Sequence, residues 1–498
     1  MKIPPSKLAA KRQIRIAQQL QKQQQKNART APEKTPVNLE QLELVHRKAA
    51  GIDVGSAENF VAIPASVLKE GESAVRMFGV FSAEQDALVD WLRGHGISTV
   101  AMEATGIYWL SLYDKIEAAG IEVLLVDAHS VKAVPGRKSD WLDCQWIQKL
   151  HTYGLLQAAF RPEAMIRRLR TLTRHRVELI ECGVVHQEHM NKALISMNLH
   201  LSLVVSDIIG DTGLRIIDAI LAGQRDPKEL VKLRDPRCRK STIAEMEAGL
   251  KGSYEAEELL VLRQSLEAWR FYQKQIEKVD EDLMKVVELI PRVKPATLPS
   301  PAKPVAVAQP DPKKKQPKKN PCGGHNGLAF DFTEALVRIC GVDLMKVVGC
   351  NALTILMLLG EIGTDMSKWR SAKAFASWLG LCPGTKISGG KVLSRRTRKV
   401  KNRAATLFRM MAWAAGKTDT WLGRFYRRIR ARKGPAKAVT ATARKMACII
   451  YHLLKYQDEF VLLDTQKYEK QAEAHRLRRL QKEAQRLGYA LVEEEQVA

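Results

Sequence analysis

Four acidic side chains and one serine are of the types and spacing that phosphoryl chemistry uses. Asp53 lies in the apolar run AAGIDVG and Glu103 at the end of STVAMEA, while Asp140 and Asp143 stand three apart in SDWLDCQWIQKLHTYG. On a helix that spacing puts both carboxylates on one face. An Asp within an apolar strand is costly unless its charge is met. Carboxylates gathered in a low-dielectric site repel one another until a divalent cation lies between them. Oxygen ligands suit magnesium, one or two ions of which activate an attacking oxygen and stabilise a leaving one. Each acid also has a plainer reading: Asp140 and Asp143 as first-turn complements of a helix dipole, Asp53 as the start of a turn. Jointly they point to a metal site. Ser388 sits in TKISGGK, where two glycines either make an ordinary turn or let a phosphate backbone come close. A serine hydroxyl needs a base or a metal to become nucleophilic, and no His lies near it in sequence.

The elements that must position these residues follow from the apolar patterning. AAGIDVG, NFVAIP and VRMFGVF read as three successive strands. Ser82 and Gln85 have capping-box spacing for the helix AEQDALVDWLRGHG, which Gly96 can close. STVAMEA (strand), IYWLSLYDKIEAAG (helix), IEVLLVD (strand) and SDWLDCQWIQKLHTYG (helix) complete the order β-β-β-α-β-α-β-α. That order implies a mixed sheet covered by helices, the order of the ribonuclease-H-like fold. There the first and fourth strands are neighbours and the last helix packs over them, so the four acids would converge.

The 498 residues carry a formal net charge of +26. An excess of that size speaks of a polyanionic partner, here nucleic acid rather than an anionic membrane. The eight cysteines are scattered without a C-x-x-C pair, which argues against a zinc ribbon or a disulfide framework. His186 with His189, and Cys322 with His325, lack the partners a metal site needs. No apolar run reaches the length of a membrane span, and the basic, Gln-rich start is no secretory signal, so a cytoplasmic, nucleoid-associated protein is expected. Composition separates a basic arm (1–43), an α/β domain (44–160), a helical coiled-coil-like middle (161–290), a Pro/Lys-rich linker (291–330), a mainly α C-terminal domain (331–463) and a charged helical tail (464–498). In the middle, a basic opening (Arg167, Arg168, Arg170, Arg174, Arg176) precedes an apolar spacing that suits either a dimer seam or an intrachain helical hairpin. Around Ser388 stand Lys386, Lys391, Arg395, Arg396, Arg398, Lys399, Lys401 and Arg403, with Asp419 the only acid between Lys386 and Lys433. Trp413, Trp421, Phe425 and Tyr426 are interleaved farther on. A solvated helix face would normally include acids, whereas this composition suits phosphate contact and base stacking.

At GIDVGSAENFVA, AMEATGIYW and VPGRKSDWLDCQWIQKLHTYGLL the chain resembles the DEDD-type insertion-sequence transposases, the IS-one-ten family with its IS-eleven-eleven relatives. LRTLTRHRVELIE, GDTGLRIIDAILAGQRDPKELVKL and LRQSLEAWRFYQKQIEKVDEDL resemble the helical middle of that family. GEIGTDMSKWRSAKAFASWLGLCPGTKISGGK resembles its C-terminal domain. The resemblance spans roughly Ala49 to Leu454. It implies a RuvC-like domain whose four acids, here Asp53, Glu103, Asp140 and Asp143, bind magnesium, and a nucleophilic serine, here Ser388. It further implies cleavage and rejoining of DNA, an element-encoded guide RNA, and a homo-oligomer of two or four copies. The sequence departs from the family where a Pro-Gly-Ile-Gly hairpin is expected and Val347 to Asn351 reads VVGCN, at Lys401 where a glycine is expected, and in the length of the linker. Two rivals stand beside this reading: a metal-only nuclease in which water attacks, and a non-catalytic nucleic-acid-binding protein.

Overall fold

In the computed structural model, residues 42–126, 140–292 and 325–457 are described, apart from 399 and 401, with scattered positions between 474 and 490. Outside the described residues lie nearly all of the expected N-terminal arm, most of the linker and charged tail, Lys399, Lys401, Cys322 and the PGRKS run before Asp140. The chain divides into two compact units, one ending at Arg161 and the other starting at Pro162.

The first unit has the anticipated element order. It runs β1 (Ala49–Val54), β2 (Glu58–Ala62), β3 (Val75–Gly79), α1 (Ser82–Gly94), β4 (Thr99–Glu103), α2 (Trp109–Ala118), β5 (Glu122–Val126) and α3 (Asp140–Thr152). The sheet order is β3-β2-β1-β4-β5. β1 is antiparallel to β2 across a tight turn in which Gly55 N donates to Glu58 O at 3.0 Å. It is parallel to β4, which α1 makes possible as the crossover. Strand alternation sorts the side chains onto two faces. Ile52, Val54, Val61, Val100 and Met102 pack on Leu88, Leu92, Leu112 and Ile116 of α1 and α2. The opposite face meets α3 through Cys144 and Ile147.

On that second face Gly51 sets the spacing. A Cβ there would lie 2.2 Å from the Gln148 amide nitrogen and 2.5 Å from the Cys144 carbonyl oxygen. The backbone of α3 thus rests directly on β1, an approach open only to glycine. The expected capping box at Ser82 is absent: α1 has no side-chain cap. Gln85 is buried instead, its amide donating to Val80 O at 3.1 Å while its oxygen accepts from Ser111 Oγ at 2.9 Å. A buried tie between two helices has taken the side chain that the cap would have used. Gly96 does end the helix, at φ +62°.

α3 closes on β1 and β4 with His151, only 2 % exposed, whose Nε2 lies 2.9 Å from Thr99 Oγ1. Burial pushes its pKa down from 6.5 to about 4, helped by the His46 ring nearby. The folded chain therefore refuses a proton that the unfolded chain accepts below pH 6.5. Stability supplied by the neutral ring is complete above that value and is lost as the pH falls toward 4. Urea unfolding of the wild type is expected to lose about 1.4 kcal/mol per pH unit more than His151→Gln between pH 6 and 5. Parallel pH dependences for the two proteins would exclude this account.

The second unit is helical. α4 (Ala164–Ser196) and α9 (Ala256–Leu289) form a long pair, between which α5 (Leu201–Val204), α6 (Asp211–Leu221), α7 (Pro227–Lys232) and α8 (Ile243–Gly249) build a small apolar module. The two long helices pair within the chain, as the intrachain helical hairpin expects. Its basic opening is committed inward. Arg176 and Asp280 form a fully buried pair at 2.6 Å, and Arg176 also donates to the carbonyls of Asn326 and Gly327. Removing one partner of such a pair costs about 3–5 kcal/mol. Arg174 holds Glu361 with two bonds of 2.8 Å, and Arg170 donates to the carbonyls of Gly360 and Glu361. Three of the five arginines thus fasten α4 to its own unit.

Next come α10 (Thr333–Cys340), α11 (Ala352–Ile362), α12 (Ala372–Trp378), the strands β6 (Lys386–Ser388) and β7 (Lys391–Ser394), and α13 (Arg403–Gly416), α14 (Trp421–Lys433) and α15 (Pro435–Tyr456). The departing segment VVGCN still makes a tight connection between α10 and α11. Gly349 has φ +86°, a Cβ there would meet Met411 O at 2.4 Å, and Asn351 caps α11 through Thr354 N.

Candidate metal centre and serine hairpin

Asp53, Asp140 and Asp143 come together. One carboxylate oxygen of each lies within 4.8 Å of the others, and the three range from half-buried to exposed. Strand alternation turns Asp53 to the face of Gly51, away from Ile52. The close contact that Gly51 permits then lays the first turn of α3, with Asp140 and Asp143, over it. Glu103 follows Met102, which pairs with Ile52, so Glu103 stands beside Asp53 at the next rung of β1 and β4. Its carboxylate is not in the three-oxygen group. The Thr105 hydroxyl donates to Glu103 Oε1 at 3.3 Å. Sequence reasoning anticipated the approach of Asp53, Asp140 and Asp143 and expected the Glu103 carboxylate with them, but missed Gly51 and Thr105. A glycine two residues before an in-strand Asp was the available signal for the first, and nothing marked the second.

The donor set fits a hard divalent cation: oxygen only, from three carboxylates. Cys144, one residue past Asp143, does not compete. Burial, with Asp53 beside it, pushes its thiol up to about 12, and Sγ donates to Trp141 O at 3.1 Å. A neutral thiol is a poor ligand and a poor nucleophile. His186 and His189 gather only aromatic company, with Tyr272 stacked on His186 at 5.6 Å. Among the described residues no group of three or more potential metal ligands includes them.

Ser388 ends β6 on the far side of a two-residue turn. It pairs with Lys391, and Gly389 (φ +53°) and Gly390 (φ +73°) are both left-handed, the backbone that twists a hairpin correctly. All three residues of β6 are exposed, so the hydroxyl stands in solvent. Lys386, Lys391, Arg395, Arg396, Arg398 and Arg403 are exposed around it. Of these, Arg398 also donates to Ser377 O at 2.7 Å. On α13 the exposed Trp413 carries the Lys417 ammonium 3.5 Å above its ring. Asp419 is drawn to Arg424 and Arg427 at 3.2 Å each, and the Arg424 guanidinium holds its carboxyl below the usual range. The one acid of the stretch is therefore spent on two arginines.

Comparison with family models gives two matches. Residues 50–198 match the DEDD transposase model of the IS110 type, and residues 343–427 match the model described as transposase, IS116/IS110/IS902 family. No curated protein matches the chain. The first match contains all four acids and the second contains Ser388.

Proposed function

Since this chain belongs to the IS110/IS116/IS902 transposases, with both family segments present in order, we propose that it cuts and rejoins DNA by a two-step exchange through Ser388. The observation that carries this reading is the convergence of Asp53, Asp140 and Asp143 within 4.8 Å. Those three residues, with Glu103 at the adjoining rung, would hold magnesium, which when bound supplies charge stabilisation to the attacking and leaving oxygens.

The chain's own residues do the rest. The carboxylates orient the scissile phosphate through what they bind, and the basic residues flanking the hairpin neutralise the strand's neighbouring phosphates. Ser388 Oγ gives up its proton and forms a bond to phosphorus as the bond to the leaving strand's oxygen breaks, and that oxygen takes up a proton in turn. In the second step a strand hydroxyl attacks the phosphoserine, restoring the DNA ester and returning the serine hydroxyl. Family likeness supports two finer features of the same reading, an element-encoded guide RNA and an assembly of two or four copies.

The test is metal removal in a strand-cleavage assay on DNA carrying the element's own junctions. Cleavage is expected to stop in chelator, to return with magnesium, and to remain absent with calcium. Calcium's looser coordination holds a phosphate without fixing the reacting geometry. Full cleavage in chelator would end the proposal.

A further inference from the structure

On the α3-facing side of the sheet a cross-strand row continues past the acids. Asp53 pairs with Phe60 of β2, and Phe60 pairs with Met77 of β3. Trp141, which lies between Asp140 and Asp143 in the first turn of α3, sets its ring edge-on to Phe60 at 6.5 Å. Phe60 is half-buried, yet Met77 is 49 % and Trp141 42 % exposed. Phe60 thus stands one strand, about 4.8 Å between backbones, from Asp53, Met77 one strand farther, and Trp141 in the same helical turn as Asp140 and Asp143.

We propose that Phe60, Met77 and Trp141 form a stacking shelf for one unpaired nucleobase of the strand whose phosphate lies at the acids. This rests on the reading of the acid group as the site of strand cleavage. On that reading, a nucleotide whose phosphate lies at the acids has Phe60 on the neighbouring strand and Trp141 between two of the acids. A base inside a duplex has both faces occupied by its neighbours, so an exposed aromatic side chain here selects a base that has left the stack. The contact is sequence-tolerant, because every base has a π-face. A second copy of the chain is a poorer occupant. Stable association buries roughly 800 Å² per partner, more than three side chains, one of them half-buried, can offer. The thioether of Met77 adds a polarizable, adaptable edge that accepts purines and pyrimidines alike.

The experiment uses the full chain in calcium and a short thymidine oligonucleotide carrying one 5-iodouracil, which cross-links to an aromatic ring stacked on it. The adduct is expected at Trp141 or Phe60, with a several-fold lower yield once the probe is annealed to its complement. Trp141→Ala should weaken probe binding roughly tenfold and leave the salt slope unchanged, since no charge is lost. Trp141→Phe should recover most of the loss, and Met77→Ala, at an exposed position, serves if Trp141→Ala is poorly folded. Cross-links confined to the basic second unit, or equal affinity for Trp141→Ala and wild type, would overturn the shelf. A change in copy number on Trp141→Ala, read by mass photometry, would overturn it in favour of a protein partner. Cleavage loss on Asp140→Asn is read separately, so the shelf can fail while the acid site stands.

Discussion

Asp53→Asn is expected to lower the rate of strand cleavage about a thousandfold and to remove the stabilisation of the first unit by magnesium. The two effects have one cause. Without a cation, three carboxylates whose oxygens lie within 4.8 Å repel one another, and removing one charge relieves that repulsion. With a cation, the same charge is a ligand. Thermal unfolding should therefore show a magnesium-dependent rise in Tm for the wild type and little or none for the variant, as ligand linkage requires. DNA binding measured without cleavage should change far less, because the exposed basic residues around Ser388 keep their charge. Wild-type cleavage by Asp53→Asn would favour the non-catalytic reading. A variant that lost its fold in chelator would show that Asp53 serves structure instead.

The convergence of Asp53 with Asp140 and Asp143 was legible in the sequence because strand chemistry makes it so. An Asp in an otherwise apolar, alternating run has to face something that meets its charge, and the order of elements places the first strand beside the fourth. Asp140 and Asp143 share a helical face by spacing alone. The distance at which that helix rests on the sheet was not legible. It depends on Gly51, whose missing Cβ matters only once the Cys144 carbonyl and the Gln148 amide are in place. The same holds for Gln85, where capping spacing lost to a buried bond with Ser111. Local propensity is a weak prior, and a tertiary partner overrides it.

The basic residues divide along the same line. In sequence, the arginines from 167 to 176 and the cluster from Lys386 to Arg403 look alike. In the structure Arg170, Arg174 and Arg176 are bound to Glu361, Asp280 and backbone carbonyls of their own unit, whereas the described members of the second cluster are exposed. What distinguishes them is the distant partner. Glu361 and Asp280 are far off in sequence, while the segment around Ser388 has no acid before Asp419. Charge that folding leaves uncompensated is the charge available to a polyanion. The +26 total therefore overstates the nucleic-acid surface, and the hairpin region is where most of the usable excess around the serine lies.

Ser388→Ala should abolish any covalent protein–DNA adduct and, with it, rejoining, at almost no cost in stability. The side chain is exposed at the end of β6 and makes no hydrogen bond among the described residues, so its loss should change unfolding by less than about 0.5 kcal/mol. The hairpin does not need the hydroxyl, because Gly389 and Gly390 set the turn. The readout is the labelled DNA strand retained on the protein after denaturation. It should be present with the wild type in magnesium, absent with Ser388→Ala, and absent with Asp53→Asn, which removes activation and leaves the hydroxyl. Loss in both variants ties the two sites into one reaction; loss in Ser388→Ala alone would leave the serine activated by something other than the acids. Undiminished cleavage by Ser388→Ala, with no adduct in either protein, would make water the attacking group and reduce this serine to a turn residue.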